Sequence, residues 1–220
     1  MVSEFNFLGI TLDENLSWNN HIQKISNKIA RNVGCLYRLK HFLPLHTLKL
    51  LYNSLILPYL QYGVLLWGFK FARIFKLQKK ALRAITRSKY NAHTDPLFQN
   101  LELLKIEDIF KINLLKFQFK LVNEKLPHYF STIFTKDELS HNYNTRNRDS
   151  FRNPTPNYSS SVNTIRYYLP NFIDNMPELI VNKISTHSFK GFSVYCKNYF
   201  IKGYSFQCTD PNCYVCKDLN

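Results

Sequence analysis

The chain has 220 residues, 45% of them hydrophobic, and 29 Lys and Arg against 15 Asp and Glu give it a formal net charge of +14. That is enough apolar material for a sizeable core, and the surplus points to polyanionic partners, either nucleic acid or an anionic membrane face. Six Gly leave little for a glycine-rich phosphate cradle, and five clustered Cys argue against a secreted disulfide scaffold.

Met1-Val2-Ser3-Glu4-Phe5 lacks the basic and apolar regions of a signal peptide, so an intracellular location, cytoplasmic or nuclear, is expected. Phe5, Phe7 and Leu8, then Ile10 and Leu12, predict a short strand around Gly9 that ends in the turn Asp13-Glu14-Asn15. It has no sheet to join in the rest of the chain and reads as the remnant of a β-hairpin. Ser17 is placed to cap a helix from Trp18. Ile22, Ile25, Ile29, Val33, Leu36 and Leu39 then recur at helical spacing, with Lys24, Lys28, Arg31 and Arg38 off that stripe.

A second helix is predicted from Leu45 to Trp67, bent or broken at Pro58. Its stretch Leu50 to Phe69 has no charge, but Asn53, Ser54, Gln61 and three Tyr suit a buried helix better than a membrane span. A third helix is predicted over Ile74 to Arg87. Leu77, Ala81, Leu82 and Ile85 share its apolar side, while Lys76, Lys79, Lys80, Arg83 and Arg87 fall in an opposite arc of about 100°. From Glu14 to Asp95 there are 14 Lys and Arg and no intervening acid. Solvated faces usually mix both signs. This region is therefore expected to contact nucleic acid, with an anionic membrane surface as the competing partner.

Ile109, Ile112, Leu115, Phe119 and Val122 predict a further helical stripe. Residues 140–164 hold six Asn, two Pro and a Ser run, which makes a linker. There Arg146, Arg148 and Arg152 interleave with Tyr143, Phe151 and Tyr158, a mixture able to stack bases and hold phosphates. Near the end, Cys213-x-x-Cys216 has chelating spacing, and Cys208 is a candidate third thiolate for zinc. His187, Cys196 or a residue beyond Asn220 is the candidate fourth ligand. No HExxH, GxSxG or GxxxxGK[ST] motif occurs, and no catalytic residue is assigned.

Several segments resemble one family. Phe7-Leu8-Gly9-Ile10-x-Leu12-Asp13 and Leu16-Ser17-Trp18-x-x-His21-Ile22 are similar to the segment after the palm in reverse transcriptases of non-LTR retrotransposons, the LINE and Jockey-like kind. The similarity continues through Tyr52-Asn53-Ser54-Leu55-Ile56-x-Pro58-x-x-x-Tyr62-Gly63, Leu66-Trp67-Gly68 and Leu77-Gln78-Lys79-Lys80-Ala81-Leu82-Arg83. It extends to His93-Thr94-x-Pro96-Leu97-Phe98, Leu126-Pro127, Tyr143-x-Thr145-Arg146 and Ser188-Phe189-Lys190. The resemblance implies a primer-grip strand followed by a helical thumb that holds RNA or an RNA–DNA duplex. It also implies a missing partner, the palm and fingers, whose carboxylates would hold Mg²⁺, so the chain is expected to be inactive alone.

The resulting expectation is a mainly α chain with an N-terminal β-hairpin remnant, a helical thumb bundle and a loop-rich C-terminal extension. Its divisions are 1–16 (end of the palm), 17–92 (thumb), 93–139 (connecting helices), 140–164 (linker) and 165–220 (extension with the Cys cluster). The expected nucleic-acid residues are Lys24, Lys28, Lys76, Lys79, Lys80, Arg83, Arg87 and Arg146. A repurposed nucleic-acid or membrane-surface module without a polymerase role is the alternative.

Overall fold

The computed structural model describes residues 4–134 and 164–204. The chain is mainly helical, with a two-stranded antiparallel hairpin at its start: β1 (Glu4–Phe7) and β2 (Ile10–Asp13), with Phe7 opposite Ile10. The single strand expected from the alternation is thus folded on itself. Leu8 (φ 48°) and Gly9 (φ 80°) form a two-residue turn with both backbones left-handed, the geometry that matches strand twist. Leucine is unfavourable there, and the Tyr62 hydroxyl steadies it by donating to the Leu8 carbonyl at 2.5 Å.

Asp13 then organises the entry to α1 (Asn19–Leu39). Its carboxylate accepts from the Ser17 N–H at 2.8 Å, the Ser17 hydroxyl at 3.1 Å and the Trp18 N–H at 3.0 Å. Burial works against its charged form, but these bonds prevail and hold its pKa below the usual carboxylate value. Ser17 is not the helix cap expected. Trp18 occupies that position in a left-handed conformation, and the Ser17 oxygen reaches only the Asn19 N–H at 3.4 Å. Ile22, Ile25, Ile29, Val33 and Leu36 are buried, as their spacing requires.

The helix predicted from Leu45 to Trp67 is three helices: α2 (Leu45–Leu55), α3 (Leu57–Gln61) and α4 (Val64–Trp67). Pro58 lacks an N–H and its ring collides with the carbonyl four residues back, so it is tolerated only in a first turn. That is where it sits in α3. Gly63, at φ 62°, makes the second break, and a Cβ there would meet the Ile10 side chain at 2.8 Å. A 3-10 turn (Gly68–Lys70) leads into α5 (Ala72–Thr86). Gly68 lies so close to the Phe110 ring that an added Cβ would be 2.6 Å from it.

The remaining helices are α6 (Asp95–Asn100), α7 (Ile106–Val122), α8 (His128–Ile133), α9 (Ile165–Asp174), α10 (Glu178–Val181), α11 (Lys183–Thr186) and α12 (Phe189–Lys202). Among the described residues no helix is long and apolar enough to cross a membrane. α7 is apolar around most of its circumference, the signature of a buried helix. One side joins the main core with Trp67, Phe98 and Ile74. The other joins a second cluster built from Ile112, Leu115, Phe119, Ile180, Ile184, Phe192 and Cys196. Val122, expected on the apolar stripe, is 48% exposed at the helix end.

Candidate nucleic-acid interface

The basic helix α5 does not stand alone. It packs against α1, and the two run parallel. Lys70, just before α5, donates to the Ser17 carbonyl just before α1 at 2.7 Å. Arg73 bonds Gln23 near both helix starts. At the far ends, Arg87 donates to the carbonyls of Lys40 at 2.9 Å and Leu43 at 3.0 Å. Each helix buries its apolar stripe in the main core, so the opposite faces point outward side by side. Lys76 and Lys80 of α5 are exposed, as are Arg31 and Arg38 of α1. The two arginines lie off the apolar stripe of α1 and are not among the eight residues expected at the interface. Helical phasing alone could have added them.

The eight expected contact residues separate into groups. Lys76, Lys79 and Lys80 share the outward side of α5, with the Lys79 ammonium 4.4 Å from the centre of the Phe75 ring. Arg83 and Arg87 are committed to the protein itself. Arg83 donates twice to the Ala92 carbonyl, at 3.0 and 2.8 Å, and so ties down the loop after α5. Arg87 satisfies carbonyls at the C-terminal end of α1, a place where cations also suit the helix dipole.

Lys24 lies two turns before Arg31 on the same outward side of α1, and Lys28 lies beside it, toward α3. Lys24 is 3.1 Å from Glu4 and donates to Thr11 at 3.3 Å. Lys28 sits 5.7 Å over the Tyr59 ring. The stretch that is acid-free in sequence is therefore not acid-free in space, because the hairpin returns Glu4 to it. Arg146, with Cys208, Cys213 and Cys216, lies outside the described residues. Cys196, a candidate fourth zinc ligand, is buried in the second apolar cluster, where burial pushes its thiol up to about 11. That opposes the thiolate form a metal needs. His187 bonds Thr186 at 3.0 Å and is also apart from any group of three candidate metal ligands among the described residues.

His21 joins the hairpin to α1. The Thr11 N–H donates to its Nδ1 at 3.2 Å, which requires the neutral tautomer with hydrogen on Nε2. Burial chiefly, then the charges of Lys24 and Lys28, hold its pKa below the ordinary 6.5. Protonation would set two donors against each other at Nδ1. A depressed folded pKa means that the unfolded chain binds more protons below about pH 6.5. Stability from His21 is thus complete above 6.5 and is lost as pH falls through the folded value. The midpoint of thermal unfolding should drop as pH falls below about 6.5, and His21→Gln should flatten part of that drop. Identical pH profiles for the two proteins would refute this reading.

Gln78 is the polar residue that sequence phasing did not single out. It is fully buried on the core side of α5. Its Nε2 donates to the Tyr52 hydroxyl and the Leu104 carbonyl, both at 2.8 Å, and its Oε1 accepts from the Ile106 N–H at 2.9 Å. It thus supports the start of α7 from another helix. A glutamine on an otherwise apolar arc was the available signal.

No family profile matches the chain, and no solved structure matches it. One curated relative is the probable RNA-directed DNA polymerase from transposon BS of Drosophila melanogaster, 29% identical over 113 residues. The chain is distantly and partially similar to that polymerase. The match covers 48% of this chain and 12% of the relative, so the chain spans a small part of the polymerase's length.

Proposed function

We propose that this chain is a thumb-like segment of a retrotransposon reverse transcriptase and holds RNA or an RNA–DNA duplex by its phosphate backbone. The observation that carries the reading is the parallel pair α1–α5, whose outward faces expose Lys76, Lys80, Arg31 and Arg38. The order of the family-like motifs and the distant polymerase relative support it. In this reading the segment positions nucleic acid, and the polymerase chemistry belongs to residues of a palm domain. Residues on rigid helices suit phosphate contacts, which orient a duplex without reading its bases.

The test is binding of a fluorescent RNA–DNA duplex over a salt series. Four phosphate contacts should give a slope of log affinity against log salt of roughly −3 to −4. An affinity indifferent to salt would remove the basis of the proposal.

A further inference from the structure

A second basic site lies away from the outward face of α5. A cleft of about 610 Å³ opens between α2, α3, α7 and α12. Three lysines from three different helices line it: Lys49, Lys116 and Lys197. None of the three has an ion pair among the described residues. Glu102, exposed at the rim, is the only acid among the described lining residues. Local charge is therefore three cations against one anion.

The burial of one of these cations sets the cleft apart from a solvated surface. Lys116 is half-buried on α7, and burial lowers the pKa of its ammonium, with Cys196 opposing the shift and Lys120 adding to it. A desolvated cation without a counter-ion is unfavourable, and an anionic guest would relieve it. Ser193 and Gln61 add neutral polar groups to the lining. A phosphate monoester carries a charge of about −1.5 to −2 at neutral pH, which balances the net charge of this lining.

We propose that the cleft formed by Lys49, Lys116 and Lys197 binds a phosphoryl group. The source is either a free phosphate compound or the 5′-phosphate of a nucleic-acid strand. The site shares no lining residue with the outward face of α5, so it stands or falls separately from the thumb reading.

The experiment is calorimetric titration of the full chain with sodium pyrophosphate at fixed ionic strength. Saturable binding to one site is expected, and Lys49→Gln with Lys197→Gln, two changes at the cleft margin, should weaken it by about tenfold or more. Lys76→Glu with Lys80→Glu should leave it unchanged. Lack of saturable binding would overturn the proposal, as would a K49Q/K197Q protein that binds as well as the parent. Equal loss in the K76E/K80E protein would also overturn it, because the effect would then be one of overall charge. A 5′-phosphorylated tetranucleotide that binds tighter than both its 5′-hydroxyl form and pyrophosphate identifies a strand end as the source. Pyrophosphate binding tighter than either oligonucleotide identifies a free phosphate compound.

Discussion

Replacing Gln78 by Leu should destabilise the protein by about 3–5 kcal/mol, although the two side chains are similar in volume. The cost comes from what is left behind. The Ile106 N–H, the Leu104 carbonyl and the Tyr52 hydroxyl all depend on this one amide. Each buried polar group stranded without a partner costs roughly 1–3 kcal/mol, and leucine's extra apolar burial returns only part of that. The Ile106 N–H belongs to the first turn of α7, where no helical acceptor exists. A loss of this size is a large share of the 5–15 kcal/mol typical of a folded domain. Urea unfolding should show a lower midpoint with an unchanged slope. Tyr52→Phe should cost about 1 kcal/mol in the parent and little in the Gln78→Leu background. A Gln78→Leu protein within about 1 kcal/mol of the parent would mean that water or a rearranged backbone satisfies these groups.

The second large effect concerns affinity. Lys76→Glu with Lys80→Glu should weaken duplex binding by about 100-fold near 0.1 M salt. Each phosphate contact contributes roughly 0.7 to 0.9 to the salt slope, which at 0.1 M amounts to nearly tenfold per contact relative to 1 M salt. Reversal adds repulsion to the lost attraction. The slope itself should shrink by about 1.5 to 2. Both lysines are exposed, so folding should be unaffected. Arg87 offers the contrast. Its guanidinium holds the Lys40 and Leu43 carbonyls, so Arg87→Met should lower stability by about 1–2 kcal/mol. Unchanged affinity in the double-reversal protein would place nucleic acid elsewhere or nowhere on this chain.

These two cases also show what was legible beforehand. The α1 stripe and the polarity of α5 depend on spacing within one helix, so sequence phasing found them. The breaks around Pro58 and Gly63 were half-visible: a proline announces a helix start or a kink but does not say which. Partners that come from distant segments left no periodic signal. Gln78 reaches Tyr52 and Ile106, and the Tyr204 hydroxyl bonds the Asp108 carboxylate while receiving the Lys105 N–H at 3.1 Å. The same limit applies to the candidate interface. Phasing gave the direction of Arg83 and Arg87 but not the carbonyls waiting there. A linear count of acids could not foresee that Glu4 would fold back beside Lys24. The lysine cleft was hidden for that reason too, since its three cations are remote from one another in the chain.

The parallel arrangement of α1 and α5 has a kinetic consequence. Antiparallel neighbours can close through a short turn, but a parallel pair must wait for a connection that travels back along its own length. Here that return path is α2, α3 and α4, and the ties between the two helices span about 50 residues, as in Arg73 to Gln23. Closing so long a loop loses chain entropy before the contacts between the helices can repay it. The cationic pair should therefore assemble late in folding, after the broken middle segment has found its bends. A nascent chain would carry the basic sequence long before it carried the basic surface.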